Sequence, residues 1–276
     1  MKKYLKYYLL DWITLLFKYL QLRLLKTKPI LVFTMGKVGS LSIYYALKND
    51  WRTPVFHVHS LSEAEQKFYE EECFKRGILP GSRSAIPMIN SQILKKKRPY
   101  KIITLVRNPI DRNLSAFFEA FEYYIGTPAE KYQGSMAELE QKFYELLPHT
   151  YATDWFQDYF YQQTGVNIYD FGYDKAKKYQ LISAQNIEIL VMDVALDDSI
   201  KEKLVADFTH RQLVSIDRKN VRESTAAADL YKEFKSSIRF GKNYLSDLLE
   251  TQYFNHFFDE DSKLKTFQKW QNSIDL

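Results

Sequence analysis

Four short apolar runs constrain this chain most: residues 30–34 (ILVFT), 55–58 (VFHV), 102–106 (IITLV) and 187–192 (IEILVM). Runs of this length, rich in β-branched residues and lacking strict alternation, read as strands buried on both faces of a parallel sheet. Helical patterns lie between them over residues 41–48, 62–76 and 112–124. Strand alternating with helix implies right-handed crossovers and an open sheet. The expected fold is therefore α/β, a P-loop-like three-layer arrangement with a central parallel sheet. A helical extension at the N-terminal end and a helical C-terminal part (residues 136–161, 226–236, 244–258 and 262–270) complete it. No repeat, low-complexity tract or linker divides the chain, so residues 29–276 are expected to form a single α/β domain, preceded by an amphipathic helix within 1–28.

Composition narrows the function classes. Hydrophobic residues make up 46% of the chain, which excludes a disordered protein. A net charge of +5 favours anionic ligands, yet is too mild to indicate a nucleic-acid partner. Cys73 is the single cysteine, so there is no intrachain disulfide and no cysteine-rich zinc site; a reducing, cytoplasmic setting suits that usage. His149, His210 and His256 show no ligand spacing, and no metal is expected.

Residues 1–28 resemble a signal peptide only superficially. Asp11, Lys18 and Arg23 interrupt the apolar run, which leaves no clean membrane span. Asp11, Thr14, Lys18 and Gln21 are spaced 3-4-3 and form one narrow polar stripe on a helix whose other positions are nearly all Leu, Ile, Tyr, Phe or Trp. The wide apolar face is expected to bury itself on its own domain, on a second copy of the chain in a homodimer, or on a membrane surface aided by Lys2, Lys3 and Lys6. The location expected is thus cytoplasmic, or peripheral to the membrane.

Two strand-to-helix junctions carry the chemistry. After the first strand comes Phe33-Thr34-Met35-Gly36-Lys37-Val38-Gly39-Ser40-Leu41-Ser42, with glycines for close backbone approach and a helix N-terminus that attracts anions. A Walker loop places its lysine directly before the hydroxyl residue; here Lys37 precedes the second glycine, so the ATP/GTP motif is absent. Alone, this segment reads equally as a phosphate cradle or as a tight strand-to-helix turn capped by Ser40. After the third strand, Arg107-Asn108-Pro109 turns into a helix, with Ser115 eight residues beyond Arg107. Arginine can fork onto a phosphate, and Ser115 can donate to the same group. Two anion cradles at strand ends of one sheet point to a ligand with phosphate-like groups at both ends.

Together these motifs resemble the sulfotransferases that use 3′-phosphoadenosine 5′-phosphosulfate (PAPS). Lys37-Val38-Gly39-Ser40 matches the loop holding the 5′-phosphosulfate, and Arg107 with Ser115 matches the spacing of the element holding the 3′-phosphate. The likeness extends to bacterial sulfotransferases tied to capsular polysaccharide synthesis. It runs through Trp155-Phe156, Phe171-Gly172-Tyr173-Asp174-Lys175, Ile189-Leu190-Val191-Met192 and the tail from Asn255-His256-Phe257-Phe258 to Lys269-Trp270, covering about residues 29–270. The chain departs from the pattern at Ser42, where many cytosolic members have an aromatic. Asn220 keeps the asparagine of the carbohydrate group, without the lysine and aromatics that follow it there.

The resemblance implies transfer of a sulfonate from PAPS to a hydroxyl or amine of an acceptor, leaving 3′,5′-adenosine bisphosphate and requiring no metal. A carbohydrate acceptor is expected, with a small secondary metabolite as the alternative. Gly36, Lys37, Val38, Gly39, Ser40, Leu41 and Ser42 would cradle one end of the nucleotide, and Arg107 and Ser115 the other. Arg218 and Arg222 belong to a basic cluster that either closes over the 3′-phosphate or is a solvated charge run.

Lys37 is the candidate to neutralise charge on the leaving oxygen. Residues 57 and 59 share one strand face. Related enzymes carry a catalytic histidine at a comparable point, which makes His59 the first candidate base and His57 the second. Glu119 and Glu122 are further candidates for the acceptor, and Tyr123, Tyr124, Trp155 and Tyr159 either line its cleft or pack in the core. Two other classes remain open. A P-loop kinase would need a metal-holding aspartate, for which Asp193 is the nearest; a membrane-associated anion-binding protein would need no chemistry at all.

Overall fold

A computed structural model describes residues 6–76, 79–80, 82–211, 215–216 and 226–271. Five strands form the sheet: β1 (Ile30–Phe33), β2 (Val55–Val58), β3 (Tyr100–Val106), β4 (Tyr179–Ala184) and β5 (Ile187–Asp193), in the order β2-β1-β3-β5-β4. The first four in that order run parallel, and β4 pairs antiparallel with β5. Every residue of β1 and β3 is buried, as helices covering both faces of a parallel sheet require. The expected α/β fold with a mostly parallel central sheet is what the chain forms.

β4 was not expected. Its sequence YQLISA has one fully buried residue, Ile182, because the strand lies at the sheet edge with one face wet. Such a strand carries no continuous apolar run for a reader to detect.

The helix after β1 is Ser40–Leu47, and the helix after β3 is Pro109–Glu119. Between β2 and β3 lies Glu63–Lys75, capped by Ser62, which accepts from the Glu65 N–H at 3.3 Å. The single helical pattern expected over 112–124 is split at Ala120, and a short helix Phe121–Ile125 follows. The C-terminal helices Ala226–Ser237, Lys242–Leu249, Gln252–Phe257 and Glu260–Trp270 pack a second core around Phe117, Phe143, Phe234, Phe240 and Trp270. Phe117 belongs to the helix after β3, so this second core holds that helix against the rest of the chain, with Phe143 at 5.3 Å.

The helix Asp11–Leu24 reverses the expected orientation. Three of its four polar positions face inward: Lys18 Nζ donates to the Val55 carbonyl, Gln21 Nε2 donates to the Trp51 carbonyl at 2.7 Å, and Asp11 accepts the Arg83 N–H at 2.9 Å. Thr14 is exposed and donates to the Leu10 carbonyl one turn back. Among the described residues nothing covers the wide apolar face, where Trp12, Ile13, Leu16, Phe17, Leu20 and Leu24 are exposed. The edge of β2 offers unpaired main-chain carbonyls, and these take the polar stripe that solvent was expected to take. Among the described residues no helix is long and apolar enough to cross a membrane.

Candidate functional site

A cavity of about 1190 Å³ opens at the C-terminal ends of β1, β2, β3 and β5. Gly36, Lys37, Gly39, Ser40, Leu41, Ser42, His57, His59, Arg107 and Ser115 all line it, so the structure brings the sequence-predicted groups together. Open α/β sheets place their sites at this end.

The loop after β1 is built from both sides. Met35 and Val38 are buried in the core, and Val38, alone of residues 36–42, does not line the cavity. Arg112 Nε donates to the Gly36 carbonyl at 3.1 Å, and Arg107 Nη1 donates to the Lys37 carbonyl at 2.5 Å. Because a trans peptide points its N–H opposite to its C=O, the N–H groups of Lys37 and Val38 are turned away from the two guanidinium groups. Gly39 has φ +76°, as the entry to the helix Ser40–Leu47 demands. An added Cβ there would meet only Val194 Cγ2 at 3.7 Å, so backbone conformation rather than space selects glycine.

Lys37 is itself left-handed, at φ +70°. That conformation costs a non-glycine residue roughly 1–2 kcal/mol, and such strain concentrates at functional positions. Its ammonium pairs with Glu119 at 2.9 Å, and both side chains are partly open to solvent.

The junction after β3 is equally fixed. Asn108 Oδ1 accepts from the Ile110 N–H at 3.0 Å and caps the helix, with Pro109 at its first position. Tyr253, fully buried, accepts the Arg107 N–H at 3.0 Å and donates to the Arg107 carbonyl at 2.9 Å. Ser115 Oγ donates to the Asp111 carbonyl at 3.0 Å and lies 3.5 Å from the Tyr231 hydroxyl. Lys235 reaches the Asp111 carboxylate at 2.7 Å and Lys269 reaches it at 3.3 Å. Burial raises the Asp111 carboxyl, but the Lys235 hydrogen bond and the surrounding cations outweigh it and hold the group below its ordinary range.

The two histidines differ in what holds them. His57 Nε2 is 2.8 Å from Ser40 Oγ, and burial followed by the neighbouring His59 ring pushes its pKa down to about 3. That makes His57 a weak base. His59 Nδ1 lies 2.7 Å from the Thr34 carbonyl. A carbonyl only accepts, so Nδ1 carries the proton and Nε2 keeps the lone pair. Burial, then the charges of Arg112 and Lys37, outweigh the Thr34 hydrogen bond and lower the His59 pKa, so the ring is neutral at neutral pH.

Other expectations fare differently. Trp155 is buried against Phe33 at 5.1 Å, and Tyr124 stacks on Phe117 at 5.5 Å, so these two are packing residues. Glu122 and Tyr123 are exposed, and Tyr159 stands edge-on to Tyr151 at 5.4 Å; none of these lines the cavity. Arg218, Arg222 and Asn220 lie outside the described residues.

Sequence reasoning passed over Arg112, which is buried beneath the loop and stacked 4.4 Å over the Tyr151 ring. It is visible as the second arginine of Arg107-Asn108-Pro109-Ile110-Asp111-Arg112, one helical turn beyond the cap. Lys175, Lys178, Lys232 and Lys265 were also passed over and add a cationic rim to the cavity. Asp193 ends β5 at the cavity wall, and burial raises its pKa against the hydrogen bond it accepts from the Ala195 N–H at 2.7 Å.

Comparison with known proteins yields one finding. The family model NKWYS, described as "Putative capsular polysaccharide synthesis protein", matches residues 133–259, less than half of the chain. No curated protein and no solved structure matches significantly. The chain is thus similar to that family over the stretch that carries Asp193 and Tyr253, while both strand-end cradles lie before it.

Proposed function

We propose that this cavity binds PAPS and that the protein is a sulfotransferase acting on a carbohydrate hydroxyl. The observation that carries the reading is the gathering of Lys37, Ser40, Arg107 and Ser115 around one cavity beside the neutral ring of His59. The residues fit such a donor: two helices of eight and eleven residues begin at the cavity, and each starts beside a cation. A volume of about 1190 Å³ has room for a nucleotide and an acceptor group together. The loop 36–42 would hold the 5′ end, and Arg107 with Ser115 the 3′-phosphate. The polysaccharide description of the matching family supports a sugar as the acceptor.

When bound, PAPS supplies an activated sulfonate and a phosphate leaving group. Lys37 then provides positive charge where negative charge grows, a contribution of about 10²–10³ in rate for one well-placed donor. Its contact with Glu119 is solvent-exposed and is worth about 0–1 kcal/mol, so Lys37 exchanges partners at small cost. His59 Nε2 accepts the proton that the acceptor hydroxyl loses, while Nδ1–H stays on the Thr34 carbonyl and keeps the ring oriented.

Asp193 favours a second reading, a metal-dependent phosphotransferase, because a buried carboxyl ends β5 at the cavity. Calorimetric titration with 3′,5′-adenosine bisphosphate, ATP and 5′-AMP separates the two. Metal-free binding of the bisphosphate in preference to the others, lost in Arg107→Ala, is expected. A preference for ATP that requires Mg²⁺ would overturn the sulfotransferase reading.

A further inference from the structure

The inverted helix Asp11–Leu24 has a second face to explain. Trp12, Ile13, Leu16 and Phe17 are each more than half exposed, and Leu24 is 76% exposed. Scattered exposed apolar residues are ordinary; a contiguous stripe along a whole helix is not. Loose attachment does not account for it. Lys18 and Gln21 tie the inner face to the chain around β2, and Arg98 donates to the carbonyls of Leu22, Leu25 and Thr27 at the C-terminal end at 2.5, 2.8 and 2.9 Å. The apolar face is held outward by these polar contacts on the other side. Trp51, on the segment whose carbonyl Gln21 grips, is also exposed, and half-exposed Phe74 stands 6.3 Å from the Tyr7 ring.

The charges around the stripe select its occupant. Residues 1–28 contain Lys2, Lys3, Lys6, Lys18, Arg23, Lys26 and Lys28 against a single acid, Asp11. Asp11 and Lys18 are both engaged on the inner side, and Lys28 pairs with Glu188. Beside the C-terminal end of the apolar face Arg23 and Lys26 are exposed, so the flank there is cationic. A second copy of this face would add cations to these cations, whereas an anionic lipid surface complements them. Tyr8, Trp12 and Tyr19 have the apolar body and polar tip that suit a headgroup boundary. We propose that the helix Asp11–Leu24 is an interfacial anchor: it lies flat, about 21 Å long, in the surface of a bilayer containing anionic lipid, with Ile13, Leu16 and Phe17 among the acyl chains and Trp12 at the headgroup boundary.

The anchor is independent of what the cavity binds, and its test uses the full chain with vesicles. Phosphatidylcholine vesicles are compared with and without phosphatidylglycerol by co-sedimentation, at low and high salt. Binding to the phosphatidylglycerol vesicles, weaker on phosphatidylcholine alone and weaker in salt, is expected. Leu16→Glu with Phe17→Glu should cut binding more than about tenfold, since two apolar side chains leave the bilayer and two charges would have to enter it. Both positions are exposed, so the melting temperature should not move. Should that variant fail to fold, Arg23→Gln with Lys26→Gln leaves the apolar face intact and should remove most of the phosphatidylglycerol preference. The proposal is overturned if the wild-type chain ignores phosphatidylglycerol vesicles. It is equally overturned if a folded Leu16→Glu, Phe17→Glu variant binds them like wild type, or if the chain is a dimer that this variant dissociates while vesicle binding is absent.

Discussion

Arg112→Met tests how the cradle is held. The guanidinium is buried, donates through Nε to the Gly36 carbonyl at 3.1 Å and stacks over Tyr151 at 4.4 Å. Losing a charged donor costs about 1.5–3 kcal/mol, and losing the ring contact about 0.5–2 kcal/mol. Methionine fills much of the space and needs no solvation, which offsets part of both, leaving about 2–3 kcal/mol of destabilisation. In a chain of this size that lowers the melting temperature by about 4–10 °C. Binding should suffer separately. A unit charge removed at about 7 Å from an anion, in an effective dielectric of about 20, is worth about 2 kcal/mol, or about 30-fold in Kd for 3′,5′-adenosine bisphosphate. Arg112→Lys keeps the charge without the planar fork, so it should lose similar stability while retaining affinity within a few fold. Calorimetry for Kd and thermal unfolding by circular dichroism provide both numbers. An Arg112→Met protein that melts and binds as wild type would refute the account of the loop as held from behind.

Lys37→Gly relieves the φ +70° strain and breaks only a partly exposed ion pair, so stability should rise by about 0.5–1 kcal/mol in thermal unfolding. The same change should cut turnover about 10²–10³-fold in a sulfonate-transfer assay; unchanged turnover would remove Lys37 from the chemistry. His57 has a pKa near 3 when folded and an ordinary one when unfolded, so the unfolded chain binds the extra proton between these values. Stability is fully present above pH 6.5 and falls as the medium is acidified, and His57→Gln should reduce the slope between pH 6.5 and 5 by up to about 1.4 kcal/mol per pH unit. Lys18 behaves alike on the alkaline side: burial, then the nearby Lys48, lowers its pKa to about 8. Denaturant titrations from pH 8 to 10 should therefore show stability rising in the wild type, and Lys18→Met should flatten the rise.

The parallel core was legible because burial on both faces leaves apolar runs that nothing else in the chain imitates. Those runs predicted β1, β2, β3 and β5 to within two residues. β4 hid in an ordinary polar alternation, and its pairing with β5 depends on a turn at Gln185 and Asn186 that carries no glycine. The orientation of the helix Asp11–Leu24 was hidden for a different reason. A 3.6-residue period locates a polar stripe without saying whether it meets water or a row of carbonyls. The Val55 and Trp51 carbonyls that take Lys18 and Gln21 have no side-chain signature at all.

The same division runs through the cavity. The two cradles could be read because each is local, a strand end, a turn and a helix start within about a dozen residues. Their supports could not, since Tyr253 reaches Arg107 across 146 positions and Thr266 reaches Asn108 across 158. The choice between His57 and His59 lay beyond the strand period, which puts both rings on one face. Contact decides it: Ser40, the first residue of its helix, occupies His57 Nε2, while the Thr34 carbonyl takes His59 Nδ1 and leaves Nε2 with its lone pair. One strand face thus supplies two histidines with different work. His57 braces the start of the helix Ser40–Leu47, and His59 keeps its Nε2 lone pair.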